Sequence, residues 1–312
     1  MLFAYAPDGA RLRQLPLAAD LADAIWVDLY HPLPEQAART AALGVEPPTL
    51  ADMEEIELSN RLYRENGADY LTVVLPGLSE SKAPISGPVC FILTPSRLVT
   101  VRHHAPRPFE TYPQRADKVG PGCTDPRRLF LSLIEEIIGR LADLLEGAGK
   151  TLDAITRRVI HDAANDDLSD ALREVSRESD LVSRVRLSLL TIERAISYFG
   201  QSVEDAALRP VIKGLMRDIQ ALEVHGDFLT NRIAMASDLT LGMISVEQNK
   251  TVKIVSVVAV IFLPPTVIAS AYGMNFANMP ELDWRWGYQM AVGLMLASAV
   301  GTYLFFKWKR WL

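Results

Sequence analysis

Gly273, Met274 and Asn275 break into the most apolar stretch of this 312-residue chain. Ahead of them, residues 254–272 (IVSVVAVIFLPPTVIASAY) hold no ionisable side chain except Tyr272. Behind them, residues 287–306 (GYQMAVGLMLASAVGTYLFF) hold none except two tyrosines. Glycine lets a backbone turn off the end of a helix. An asparagine amide offers a neutral oxygen, which can accept hydrogen bonds from the waters of a strongly hydrated cation without gripping the ion. A carboxylate in that place would bind harder and slow release. The chemistry suggested is the handling of hydrated cations at the mouth of a pore.

Such a mouth needs walls. Each apolar run is about 19–20 residues, the length a helix needs to cross roughly 30 Å of hydrocarbon. Trp284, Trp286, Trp308 and Trp311 flank the second run, as interfacial tryptophans do. Lys250 and Lys253 precede the first span, and Lys307, Lys309 and Arg310 follow the second, whereas the 275–286 loop has one arginine. Positive residues stay inside, so the sequence predicts two cytoplasmic termini and an outward loop. On a helical wheel Val252, Val255, Ala259, Leu263, Thr266 and Ser270 fall on one line, small or modest in size and polar toward the outer end. That line suits either a pore wall or a helix-packing face in lipid. Two helices cannot enclose a pore, so a pore reading requires an oligomer. Pro264 and Pro265 remove backbone donors and offer a kink or joint in the wall.

Upstream the texture changes twice. Residues 24–30, 69–78 and 88–104 read as strands and 49–65 as helix, which predicts an α/β domain over 1–124. From Asp125 the pattern becomes helical. One helix is predicted over 127–160, opening on Thr-Asp-Pro with proline at its first position. A second is predicted from about 168 to 199. A third starts near Val203 and shows no stop before the membrane. In it Leu215, Leu222, Leu229, Ala236 and Met243 recur every seven residues beside Ile219 and Ile233, as expected of a stalk packing on the preceding helices or on copies of itself. Traced back from Val252, the pore line meets Ser245, Asp238 and Asn231, with Asn249, Gln248 and Asp227 nearby. The chain thus divides into an α/β domain (1–124), cytoplasmic helices with a long stalk (125–250) and a transmembrane domain (251–312).

Charge and composition exclude other classes. The formal net charge is −6, which argues against a general nucleic-acid binder. Residues 251–312 carry five Lys and Arg against two Asp and Glu, +3, which leaves −9 for residues 1–250. Cys90 and Cys123 have no CxxC spacing and read as small buried residues. The Met1–Pro16 stretch is broken by proline and charge, so no signal peptide is expected there. His103 and His104 are not expected to hold a metal. The aspartate-rich 161–170 break lacks the glycine and terminal glutamate of an EF-hand and reads as a solvated, helix-capping turn. There is no GxxxxGK[ST], and no nucleophile–base pair emerges; an enzyme is not expected.

YGMNF (272–276), MPEL (279–282) and a last span ending in KWKRWL together resemble the CorA family of divalent-cation transport proteins, and residues 246–276 resemble its magnesium/cobalt branch. IWVDLYHP (25–32) and EEIELSNR (54–61) also resemble that family's cytoplasmic domain. The resemblance implies a funnel-shaped homopentamer in the bacterial inner membrane that takes up Mg²⁺ and also carries Co²⁺ and Ni²⁺. It places Gly273, Met274 and Asn275 at the pore mouth, and Asn249, Val252, Val255, Ala259, Leu263, Thr266 and Ser270 along the pore. Ser270 stands where some members have glycine, and Val252 and Leu263 where some have methionine. Glu281 matches the family's outer-loop acid, a steering charge for arriving cations. The resemblance also implies closure by cytoplasmic Mg²⁺ bound between subunits, for which Asp218, Asp227 and Asp238 on the stalk and Glu54, Glu55 and Glu57 on the α/β domain are candidates. Two rival readings are a zinc-selective relative, and a membrane-anchored ligand sensor with no ion flux.

Overall fold

A computed structural model describes residues 1–16, 19–55, 57, 61–161, 165–274, 279–280 and 284–309, without the side chains of 165 and 166. The backbone forms two compact units. One comprises Met1–His161 and Asp170–Ser237, the other Asp162–Ser169 and Asp238–Leu312.

The first unit is built on a seven-stranded sheet of order β2-β1-β3-β7-β6-β5-β4. The strands are β1 (Leu2–Asp8), β2 (Arg11–Gln14), β3 (Trp26–Tyr30), β4 (Leu62–Glu65), β5 (Ala68–Leu78), β6 (Pro84–Leu93) and β7 (Leu98–Arg102). β3 and β7 pair in parallel, and every other neighbouring pair is antiparallel. All of β7 and the second half of β6 are buried, as expected of central strands covered on both faces. One face packs Val27, Leu29, Val99, Val101, Cys90 and Ile92 against Val45 and Met53. The other carries Trp26 and Phe91 into an aromatic cluster with Phe109, Tyr112, Phe130 and Phe199. A buried polar chain crosses this face. Trp26 Nε1 donates to Thr100 Oγ1 at 3.0 Å, and Thr100 Oγ1 donates to Asp28 Oδ1 at 2.8 Å. Arg102 Nη2 donates to Asp28 Oδ2 at 2.9 Å, and Arg102 lies over the Tyr30 and Phe109 rings. An ion pair this deep is sustained only because these extra hydrogen bonds satisfy it.

Among the described residues the helices are α1 (Pro34–Ala41), α2 (Leu50–Glu54), α3 (Pro108–Arg115), α4 (Pro126–His161), α5 (Asn165–Ser202), α6 (Arg209–Tyr272) and α7 (Gly287–Trp308), with a 3-10 turn at Leu21–Asp23. Asp125 caps α4 as its Asp-Pro spelling predicts: its Oδ1 accepts from the N–H groups of Arg127 and Arg128, both at 3.0 Å. Leu215, Ile219, Leu229, Ile233 and Ala236 are buried. The α6 line rests on the preceding helices: a methyl on Gly149 of α4 would lie 3.6 Å from Leu229 Cδ2. Asp153 of α4 pairs with Arg232, and Arg186 of α5 pairs with Asp227 at 2.7 Å.

One predicted element ends differently. The helix expected over 49–65 is helical at Leu50–Glu54, but Leu62–Glu65 is strand β4. The reason is the Asn66-Gly67 turn, both residues at positive φ (47° and 81°), which folds β4 back onto β5. Asn-Gly between strands is a strong hairpin signal. It outweighs the helical spacing of the residues before it. The 88–104 stretch is two strands, β6 and β7, turned where Thr94 Oγ1 accepts from the N–H of Ser96 and Arg97. Both cysteines are buried and unpaired with each other.

Candidate ion-permeation site

The second unit contains the membrane-length part of α6, and α7. In the most apolar stretch of each helix only 6% and 11% of residues are buried. A core helix of a water-soluble protein would be mostly covered, so these two surfaces call for a lipid or protein neighbour. α6 continues unbroken through Pro264 and Pro265, with no interruption in its helical run. Hydroxyls turn back on the helix they belong to: Thr266 Oγ1 donates to Phe262 O at 2.7 Å and Ser256 Oγ to Val252 O at 2.7 Å.

The predicted line is the uncovered side of the helix. Val252, Val255, Ala259, Leu263, Thr266 and Ser270 are all exposed, with Val252, Val255 and Leu263 at 63–64%. The covered and part-covered positions are Val257, Ile261, Pro264, Pro265, Ile268 and Tyr272. At about 100° per residue these lie roughly half a turn away from the predicted line. No Asp or Glu stands between Val252 and Met274. At the exit, the Gly273 N–H donates to Ala269 O at 2.9 Å, and a Cβ on Gly273 would come within 3.2 Å of that oxygen. Glycine therefore fits where the helix stops. Met274 is exposed, whereas Asn275 and Glu281 lie outside the described residues. Asn249 is exposed on the same helix, one residue before Lys250, which pairs with Glu247.

Trp284, Trp286 and Trp308 are exposed at the ends of α7, and Lys309 Nζ sits 5.4 Å from the Trp308 ring centroid. Of the regulatory candidates, Asp218 and Asp238 are exposed; Asp227 is also exposed but held by Arg186. Glu54, Glu55 and Glu57 are exposed at the end of α2 and just beyond. Among the described residues no three His, Cys, Asp or Glu side chains come together as a ready metal cage. His104 is structural. Its Nε2 lies 2.9 Å from Leu75 O, and the ring fills the space a side chain would need at Gly77 and Gly87. Burial pushes its pKa down to about 4.

A sheet domain, a long stalk helix and two uncovered apolar helices long enough to cross a membrane, the first ending in Gly-Met, are the build of a membrane protein. The wider comparison gives the family. A family model described as "CorA-like Mg2+ transporter protein" matches residues 22–310, and the chain belongs to that family. It is 34% identical over 316 positions to the magnesium transport protein CorA of Pasteurella multocida and 33% identical over 323 to that of Salmonella typhimurium, covering the whole of both chains in each case. Its fold matches the complete CorA magnesium transporter of Methanocaldococcus jannaschii with a TM-score of 0.71 at 15% identity, over 100% of this chain and 99% of that one. The full-length CmaX protein matches at 0.60 and 16% identity, over 99% and 97%. The relatives are named as transport proteins, not enzymes.

Proposed function

We propose that this chain conducts Mg²⁺, with Co²⁺ and Ni²⁺ as further cargo, passively into the cell. It does so as a homopentamer in the bacterial inner membrane, with both termini cytoplasmic. In this reading residues 1–124 and 125–250 form the cytoplasmic α/β domain and stalk, and 251–312 form the pore domain. One observation carries it: the small, hydroxyl-ending line of α6 is the side the single chain leaves bare. Turned to a common axis, that line becomes a wall from Asn249 to Ser270, closed at the outside by the Gly273, Met274 and Asn275 oxygens.

A second bare stripe supports the oligomer. Val224 (71% exposed), Phe228, Met235 (70%) and Val246 follow one side of α6 beside the exposed Asn231, Asp238 and Ser245. A contiguous apolar stripe of this length is unusual on a surface that faces only water. A neighbouring copy covers them, and the polar line beside them faces the axis. The drive is the inside-negative potential, about 2.3 kcal/mol per charge per 100 mV and twice that for a divalent ion. Closure by internal Mg²⁺ needs ligands from two subunits, with Asp218, Asp227 and Asp238 meeting acids such as Glu54, Glu55 or Glu57 of a neighbour.

The test is Mg²⁺ influx into liposomes loaded with a Mg²⁺ dye, at low internal Mg²⁺ and an inside-negative potential. Wild-type flux that is lost or made unselective by Asn275→Ala supports the channel. No flux from folded protein overturns it and leaves an anchored sensor; a flux of Zn²⁺ without Mg²⁺ overturns the magnesium assignment in favour of a zinc carrier.

A further inference from the structure

The register that joins β3 to β7 also sets two imidazoles side by side at one end of the sheet. Tyr30 pairs with Arg102, and the next residue on each strand is a histidine, His31 and His103. The His31 N–H donates to Arg102 O at 2.9 Å, and its backbone turns through a φ of 44°, a conformation few side-chain-bearing residues adopt. The two rings stand perpendicular with centroids 5.3 Å apart. Nε2 of each ring is buried without a hydrogen-bond partner among the described residues. A native fold rarely leaves one such nitrogen orphaned, and here there are two in one place. Glu80, in the turn between β5 and β6, brings Oε1 to 3.7 Å from His31 Nε2, too far for a hydrogen bond. Its side chain is 78% exposed and has room to rotate.

We propose that His31, His103 and Glu80 bind a borderline transition-metal dication, Zn²⁺, Ni²⁺ or Co²⁺, at a site in the sheet domain separate from the pore. Two imidazoles on one tetrahedral ion, with metal–nitrogen bonds of about 2.1 Å, hold their ring centres roughly 5 Å apart. The observed centroid spacing of 5.3 Å matches that. Imidazole nitrogen suits these ions, whereas Mg²⁺ demands oxygen, so the site discriminates against the cargo of the named relatives. Burial lowers the pKa of His103 below its ordinary value, and nearby His31 adds to this against the opposing pull of Glu54. No three donors are preassembled among the described residues; the third, Glu80, swings in on binding and water fills the fourth position.

This proposal stands apart from the transport reading, and its test does not use flux. Full-length protein without a histidine tag is titrated with Zn²⁺ by calorimetry in excess Mg²⁺, which occupies oxygen-rich sites. The expected result is one Zn²⁺ per chain, weakened at least about tenfold by His31→Gln or His103→Gln and less by Glu80→Gln, whose side chain is exposed. Co²⁺ should give visible absorption of tetrahedral intensity that the same histidine variants abolish. Wild-type stoichiometry and affinity in a folded His103→Gln variant would overturn the proposal, as would no Zn²⁺ bound by the wild type under excess Mg²⁺. If His31→Gln fails to assemble, His103→Gln and the Co²⁺ spectrum decide.

Discussion

A single carboxylate oxygen in place of an amide at residue 275 is expected to change how long an ion stays. Asn275→Asp should bind Mg²⁺ more tightly at the mouth and slow its release, which initial rates of dye influx over a range of external Mg²⁺ would register as a lower maximum rate with a lower half-saturating concentration. His104 supports a prediction of another kind. Its folded pKa of about 4 lies below the ordinary 6.5, so the native state resists its protonation. The stability it permits is complete above pH 6.5 and falls as pH drops toward 4, by at most about 3 kcal/mol. Thermal melts between pH 7 and pH 4 should show that loss, and His104→Gln should flatten the slope. The candidacy of Asn275 rests on sequence alone, where glycine, amide and flanking apolar runs converge. The structural role of His104 is not legible there, because nothing local to Arg102–Ala105 announces that Gly77 and Gly87 leave room for its ring.

Elements whose period matches their burial were easily read. The apolar stripe of α4 from Leu129 to Val159 and the continuity of α6 follow from spacing three and four, and the capped start of α4 from the Asp125-Pro126 pair. β1 and β2 carried no such signal, since β2 (Arg11–Gln14) has no buried residue and its partner ends in exposed Pro7 and Asp8. The heptad line of α6 left its partner open; Leu215, Leu229 and Ala236 are buried within the single chain, whereas Leu222 and Met243 are only part-covered. Truncating Leu229 to alanine removes a buried side chain, and chemical denaturation should find a loss of about 2–5 kcal/mol. Phe228→Glu on the bare stripe of the same helix should leave each chain folded. Light scattering of the purified protein should instead show the assembly falling toward monomer, because a charge replaces an apolar ring that the proposed interface buries.

The proposed closure by internal Mg²⁺ is a matter for the whole molecule, since it takes its ligands from two subunits. Raising Mg²⁺ inside the liposome should therefore suppress influx, and neutral substitutions should relieve the suppression unequally. Asp218→Asn and Asp238→Asn remove exposed carboxylates, whereas Asp227 already pairs with Arg186, so Asp227→Asn should shift the inhibitory concentration least. The unequal charge of body and tail was visible in composition. Which acids face a neighbour was not, since that depends on packing between copies that no single-chain periodicity encodes.

The parallel pairing of β3 with β7 has a consequence in time. Asp28 and Thr100, bonded across that pair, stand 72 residues apart in sequence. Until β7 has left the ribosome, β3 presents a bare edge of buried residues, open to pairing with another chain. Joining over so long a loop is slow compared with closing the local hairpins β1–β2, β4–β5 and β5–β6. Pulse-labelled hydrogen exchange during refolding should find those hairpin amides protected early. The Leu98 amide, which donates to Ile25 O across the seam, should be protected last.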